Sequence, residues 1–231
     1  MAVSGAAVAF GSTQPNAPSN AGQYGYGYGM MGGYGGANGG PGYGMMGGYS
    51  GAGGMMGGGY NAAGLGVNLT NGRVTTDEQA LAIAKAYVQV LKQNFDIDEI
   101  HEFADSYEVE LKDAKTGEHA FEFVIAKNGG YVSTEMGPNV MWNTKYGHMN
   151  WGNSGTPTVT AEQATQAAQD FIKQQLGTGY TVEAPEIAPG YYEFMVLKNN
   201  NDYAELDVNG YSGQVWLENW HGPIFKSFEA K

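Results

Sequence analysis

The first 72 residues contain no Asp, Glu, Lys or Arg and hold 25 of the chain's 38 glycines. Within them Tyr28-Gly-Met30-Met31-Gly-Gly-Tyr34 recurs as Tyr43-Gly-Met45-Met46-Gly-Gly-Tyr49, and a degenerate copy runs from Gly54 through Met55 and Met56 to Tyr60. A stretch with so few branched apolar side chains, and with the full backbone entropy of glycine to lose, cannot form a core alone. All folding capacity therefore falls to residues 73–231. Those 159 residues carry every charge, 11 Lys and Arg against 23 Asp and Glu, for a net charge of −12.

That imbalance, with no Lys/Arg cluster, lacks the electrostatic footprint of a nucleic-acid binder. No run approaches the length of apolar sequence that spans a bilayer. The absence of cysteine excludes disulfides, thiolate metal sites and thiol nucleophiles. Met1 to Phe10 is small and apolar, and Ala7-Val8-Ala9 fits the pattern read by signal peptidase. A basic n-region and a longer apolar stretch are missing, so two readings stand for 1–10: a signal-peptide remnant, which makes the protein extracytoplasmic, or a small apolar N-terminus without that role.

The charged body is duplicated. Thr76-Asp77-Glu78-Gln79-Ala80 returns 84 residues later as Thr160-Ala161-Glu162-Gln163-Ala164, each with the Thr-to-Gln spacing of a capping box. Ala80, Ile83, Ala84, Tyr87 and Leu91, then Ala164, Ala167, Ala168, Phe171 and Ile172, recur at helical steps and predict two amphipathic helices. Afterwards the period becomes two. Tyr107, Val109 and Leu111, then Phe121, Phe123 and Ile125, predict a hairpin closed at Asp113 to Glu118, with a further strand at Tyr131 to Ser133. The second copy repeats this with Tyr192, Phe194 and Val196, then Ala204, Leu206 and Val208, and a last strand at Gln214 to Trp216. Glu122 corresponds to Glu205, and Gly130 to Gly213. The predicted class is α+β: two copies of a helix packed on an antiparallel meander, preceded by an irregular low-complexity arm. The divisions are 1–72 arm, 73–155 first domain and 156–231 second domain.

The Thr160-Ala161-Glu162-Gln163-Ala164 opening, and the closing turn Val208-Asn209-Gly210-Tyr211-Ser212-Gly213-Gln214-Val215, resemble the PepSY domain family. The first copy is similar more loosely, since Asn128-Gly129-Gly130 lacks the Ser or Thr before its glycine. The resemblance implies a helix on an antiparallel sheet, an extracytoplasmic address, and a binding or inhibitory role without catalysis. It brings no catalytic residues.

The search for chemistry in the residues agrees. Two G-x-G-x-x-G matches, at Gly27 and Gly42, lie in glycine-rich sequence with no strand before or helix after, and are chance. No nucleophile elbow or zinc-protease motif occurs, and His101, His119, His148 and His221 stand in no motif. The acidic residues alternate along strands and read as solvated faces. Asp96-Ile97-Asp98-Glu99 has only a hint of a calcium loop. No enzyme and no cofactor is expected.

Two uses remain for the arm. Aromatic and Met side chains on an uncharged glycine backbone can pack against a second copy without self-repulsion. This designates Tyr28, Tyr34, Tyr43, Tyr49 and Tyr60, with Trp142 and Trp151 of the aromatic stretch 136–155, as assembly residues of a homo-oligomer or polymer. Alternatively, Met30, Met31, Met45, Met46, Met55 and Met56, with His148 and Met149, supply soft donors for Cu(I). Contact of the thioethers with tyrosine rings is the simpler account of the same Met residues. A peptidase-inhibitor-like module with the arm as tether is the third reading.

Overall fold

The computed structural model describes residues 59–147, 149, 153 and 155–230, all within one compact unit, Tyr49–Lys231. In chain order the elements are α1 (Asp77–Leu91), β1 (Phe95–Glu102), β2 (Ser106–Asp113), β3 (His119–Ala126), β4 (Val132–Thr134), α2 (Pro138–Met141) and α3 (Ala161–Gln175). β5 (Tyr180–Val182), β6 (Glu186–Ala188), β7 (Tyr191–Lys198), β8 (Asn201–Asn209), β9 (Val215–Glu218) and β10 (Lys226–Glu229) follow. The class is α+β, with antiparallel sheets and helices packed on them. Among the described residues no helix is long and apolar enough to cross a membrane.

Both long helices start where the capping spacing predicts. Thr76 and Thr160 each accept a hydrogen bond from the backbone N–H three residues on, Gln79 and Gln163, at 3.3 Å. At α3 the return bond closes the box, the Thr160 N–H donating to Gln163 Oε1 at 2.9 Å. At α1 the Gln79 side chain accepts instead from the Thr75 N–H, also at 2.9 Å. α1 buries Ala80, Ile83, Ala84 and Tyr87, and α3 buries Ala164, Ala168 and Ile172, the stripes read from the periodicity.

The first sheet has the order β10-β1-β2-β3-β4, and the second β5-β7-β8-β9 with β6 also paired to β7. α1 covers one face of the first sheet, over Ile100, Val109, Leu111, Phe121, Phe123 and Ile125. α3 covers one face of the second, over Phe194, Val196, Leu206 and Val208. Each side chain alternates faces along a strand, so Glu108, Glu110 and Glu122 point away from α1, and Glu193, Glu205, Asp207 and Glu218 away from α3. These two faces are turned toward each other. His101 on β1 lies 3.2 Å from Glu205 on β8, and His119 on β3 lies 3.3 Å from Glu193 on β7. The layers are helix, sheet, sheet, helix.

Three features differ from the sequence reading. Asp96 to Glu99 is strand, not loop, because Phe95, Ile97 and Ile100 pack into the first core, with a register shift between Ile97 and Ile100. The C-terminal segment does not stay with the second half: β10 pairs antiparallel with β1, Phe228 opposite Ile100 and Ser227 opposite His101. Residues 60–72, read with the arm, belong to the body. Ala62 is fully buried, and Leu65, Val67 and Leu69 pack against the first core. Apolar side chains at those positions override the glycine-rich composition they share with the arm.

Candidate functional site

The layer between the sheets is polar. Glu108, Glu110, Glu122, Glu135, Glu193, Glu205, Asp207 and Glu218 are all at most 5% exposed, and among the described residues no Lys or Arg is buried with them. Against these eight carboxyl groups stand three buried imidazoles, His101, His119 and His221. The expectation that the alternating acids form solvated faces is thus corrected. Alternation marks a face as polar; it does not say what covers it, and here the polar face of the other sheet does.

The imidazoles are shared among the carboxyl groups. His101 Nε2 lies 2.6 Å from Glu110 Oε1, and Nδ1 lies 2.8 Å from Ser227 Oγ on β10. His119 Nε2 lies 2.8 Å from Glu122 Oε1, and the Tyr191 hydroxyl donates to the same oxygen at 3.4 Å. Burial, the largest influence on His101, disfavours its charge, but the hydrogen bond and charge of Glu110, with Glu108 and Glu99, outweigh it and raise its pKa to about 9. His119 is raised in the same way, burial being overcome chiefly by Glu122. Burial also pushes Glu110 up, yet His101 and His119 pull it below the usual carboxylate range.

For four other acids the neighbouring imidazoles do not offset burial. Burial first, and neighbouring carboxylates second, drive Glu193, Glu205, Asp207 and Glu218 well above the usual range. Glu99 is raised by burial to about 7. Several carboxyl oxygens are buried without a hydrogen bond, including Glu193 Oε2 and Glu205 Oε1, as is His119 Nδ1. Buried polar atoms are ordinarily paired, so these orphans mark where a positive ligand would fit.

At one side the layer opens. A cavity of about 160 Å3 is lined by Glu99, Glu110, Glu183, Glu186, Glu193 and Asp202, together with Ala184 and Met195. Lys112, at its edge, pairs with Asp98 and lies 3.6 Å from Glu186. Glu110 and Glu193 of this lining, together with His119, present donor atoms all within 4.8 Å of one another. In the neutral form that a metal ion selects, with its proton on Nε2 toward Glu122, His119 would present the Nδ1 lone pair beside Glu193 Oε2. A carboxylate behind an imidazole is the usual support for a metal-binding histidine.

Of the residues designated from the sequence, Tyr60, Trp142 and Met149 are described, and none of them belongs to these clusters. Tyr28, Tyr34, Tyr43, Tyr49, Met30, Met31, Met45, Met46, Met55, Met56, His148 and Trp151 lie outside the described residues. Met149 is half-buried, its N–H donating to Val140 O at 3.1 Å. Tyr60 packs edge-on against Tyr87 at 5.7 Å between ring centroids. Trp142 is interior, in contact with Trp216 and clustered with Ala188 and Tyr191, which leaves it little surface for a partner. Sequence reasoning missed the layer itself. Its signal was present in two pairs of acids, Glu108/Glu110 and Glu205/Asp207, each spaced by two on a central strand.

Comparison with known proteins bears on the second half. Residues 158–215 match the family described as Peptidase propeptide and YPEB domain, PepSY. That span runs from the approach to α3 to the first residue of β9, so over it the chain is PepSY-like. Among solved structures, the chain is similar to the Bacillus megaterium YpeB C-terminal domain at 16% identity and a TM-score of 0.24. The match covers 62% of each chain, so this protein spans less than two thirds of that structure. No curated protein matches.

Proposed function

We propose that the protein is an extracytoplasmic, non-enzymatic binding module that takes up a divalent cation between its two sheets. The PepSY match supports an extracytoplasmic binding or regulatory role. The observation that carries the cation is the imbalance in the layer, eight buried carboxyl groups against three imidazoles, opening to solvent through an acidic cavity. An uncompensated buried carboxylate is costly, so it takes up either a proton or a cation. Glu110, His119 and Glu193 are the cation ligands in this reading. One nitrogen and two or more carboxylate oxygens suit zinc or manganese rather than Cu(I).

The test is metal content. Full-length protein stripped with chelator, then dialysed against Zn2+ or Mn2+ at pH 7, should retain metal stoichiometrically. Glu193→Gln and His119→Asn should each weaken retention by at least about tenfold, the low end of what disturbing a metal site costs. Wild-type protein that retains no more metal than a protein blank would end this reading.

A second reading, assembly through the arm, is favoured by one observation. Val132 N–H on the edge strand β4 donates to Tyr60 O at 2.9 Å, so the point where the arm joins the body lies beside an outer strand, the kind of edge where added strands dock. Light scattering should give large species for the full chain and a monomer for a chain starting at Gly59. Equal sizes would refute it.

A further inference from the structure

On the tail side of the layer, apart from the cavity, four segments converge. Glu108 comes from β2, Glu135 directly follows β4, Glu218 ends β9, and His221 lies in the tail that leads to β10. Their donor atoms all lie within 4.8 Å of one another. His221 Nε2 is 2.8 Å from Glu135 Oε1 and 3.6 Å from Glu108 Oε1. As carboxylates, Glu108 at both oxygens and Glu135 and Glu218 at Oε2 have no hydrogen-bond donor, although all three side chains are at least nine-tenths buried, and Glu108 finds a partner in Glu205 when the two share a proton.

We propose that Glu108, Glu135, Glu218 and His221 form a second, enclosed cation site, for Zn2+, that fastens the C-terminal tail across both sheets. One imidazole can answer one carboxylate; the other two, with four orphaned oxygens between the three, take up either protons or a further cation. Four donors, His nitrogen and Glu oxygen, are ligand types zinc accepts and match its tetrahedral count, in a chain that has no cysteine to build the commoner thiolate site. Ca2+ fits poorly, since it takes six to eight oxygens. A tetrahedral zinc ion holds its donors about 3.3 Å apart, so glutamate side-chain rotations of roughly 1.5 Å complete the shell.

The surroundings hold the imidazole in place. His221 stacks on the buried Phe103, with centroids 4.4 Å apart and 23° between planes, and the Trp220 ring also lies against it. On the glutamate side, the backbone comes close at Gly137. A Cβ there would sit 3.2 Å from Glu218 Oε1. The tail also leaves Trp220 and Phe225 exposed, at 52% and 62%. They report on whether the tail is held.

The experiment uses the full chain, stripped of metal and titrated with Zn2+, with the chymotryptic cleavage of the tail at Trp220 and Phe225 followed in parallel. Wild type should bind Zn2+ and become protected at both positions. His221→Asn and Glu218→Gln should each lose one zinc equivalent, or at least about tenfold in its affinity, and lose the protection. Glu193→Gln, which removes a cavity ligand, should keep the zinc equivalent of this second site and the protection of the tail. Glu135→Gln replaces either variant should its chelated form fail to unfold cooperatively.

Unchanged zinc stoichiometry and unchanged protection in His221→Asn and Glu218→Gln would overturn the proposal. If Glu193→Gln alone loses metal, the cavity reading survives and this site is refuted. If the tail variants alone lose it, this site stands and the cavity reading falls.

Discussion

Gly130 and Gly213 occupy matching places in the two halves and both hold left-handed backbone, with φ of +60° and +71°. A Cβ at Gly213 would meet only Val159 Cγ2, at 3.8 Å, whereas at Gly130 it would lie 2.7 Å from Ala62 Cβ and 2.9 Å from Ile83 Cδ1. Gly213→Ala should therefore cost only the backbone term, on the order of 1–2 kcal/mol. Gly130→Ala adds overpacking, roughly 1–3 kcal/mol more. Urea denaturation of the two variants checks this, and equal losses would refute the packing argument. The pairing of the glycines was readable from the repeat. The contact with Ala62 was not, because Ala62 sits in sequence of arm-like composition, and composition does not reveal that its neighbours Leu65, Val67 and Leu69 fold back onto α1 and the first sheet.

At the scale of elements, β10 does the least expected work. It pairs with β1 along four residues, half-buries Phe228 against the first core, and places Ser227 on His101. Lys226 pairs with Asp77 at the start of α1. A chain ending at Pro223 loses these contacts and leaves β1 as an unprotected edge. The ladder bonds and the apolar burial together suggest a loss on the order of 3 kcal/mol. Calorimetry should show the lower transition, and light scattering the added self-association. A truncated chain as stable and as monomeric as wild type would refute the structural role of β10. The helices and central hairpins could be read from caps and periods because those signals are local. β10 depends on a partner more than 120 residues away, and β1 was disguised by the acidic run Asp96 to Glu99, whose apolar neighbours decide its conformation. The polar layer was hidden for a related reason, since Glu122 and Glu205 were recognised as equivalent while the packing of one half on the other leaves no mark in either repeat.

At the scale of the molecule, the inter-sheet layer makes stability depend on pH and on metal in a linked way. In metal-free protein, Glu193, Glu205, Asp207 and Glu218 hold protons in the folded state that the unfolded chain releases near pH 4. A raised carboxyl pKa contributes stability fully present below the unfolded value and lost as pH climbs through the folded one. His101, raised to about 9 among Glu110, Glu205, Glu108 and Glu99, acts in the same direction, its contribution present below about 6.5 and lost toward pH 9. His119, among Glu122, Glu193 and Glu110, adds to it. Glu110, whose pKa is lowered, opposes them, but its contribution is lost only on acidification. The chelated protein should therefore melt at steadily lower temperature from pH 5 to pH 9. A bound divalent cation replaces the protons and binds best to deprotonated ligands, so the zinc-loaded curve should fall less. The two melting curves then separate as pH rises. A chelated protein that gains stability between pH 5 and pH 9 would show that the buried acids are ionised and satisfied without proton or metal. A zinc-loaded curve that runs parallel to the chelated one would show that the layer does not exchange protons for the cation.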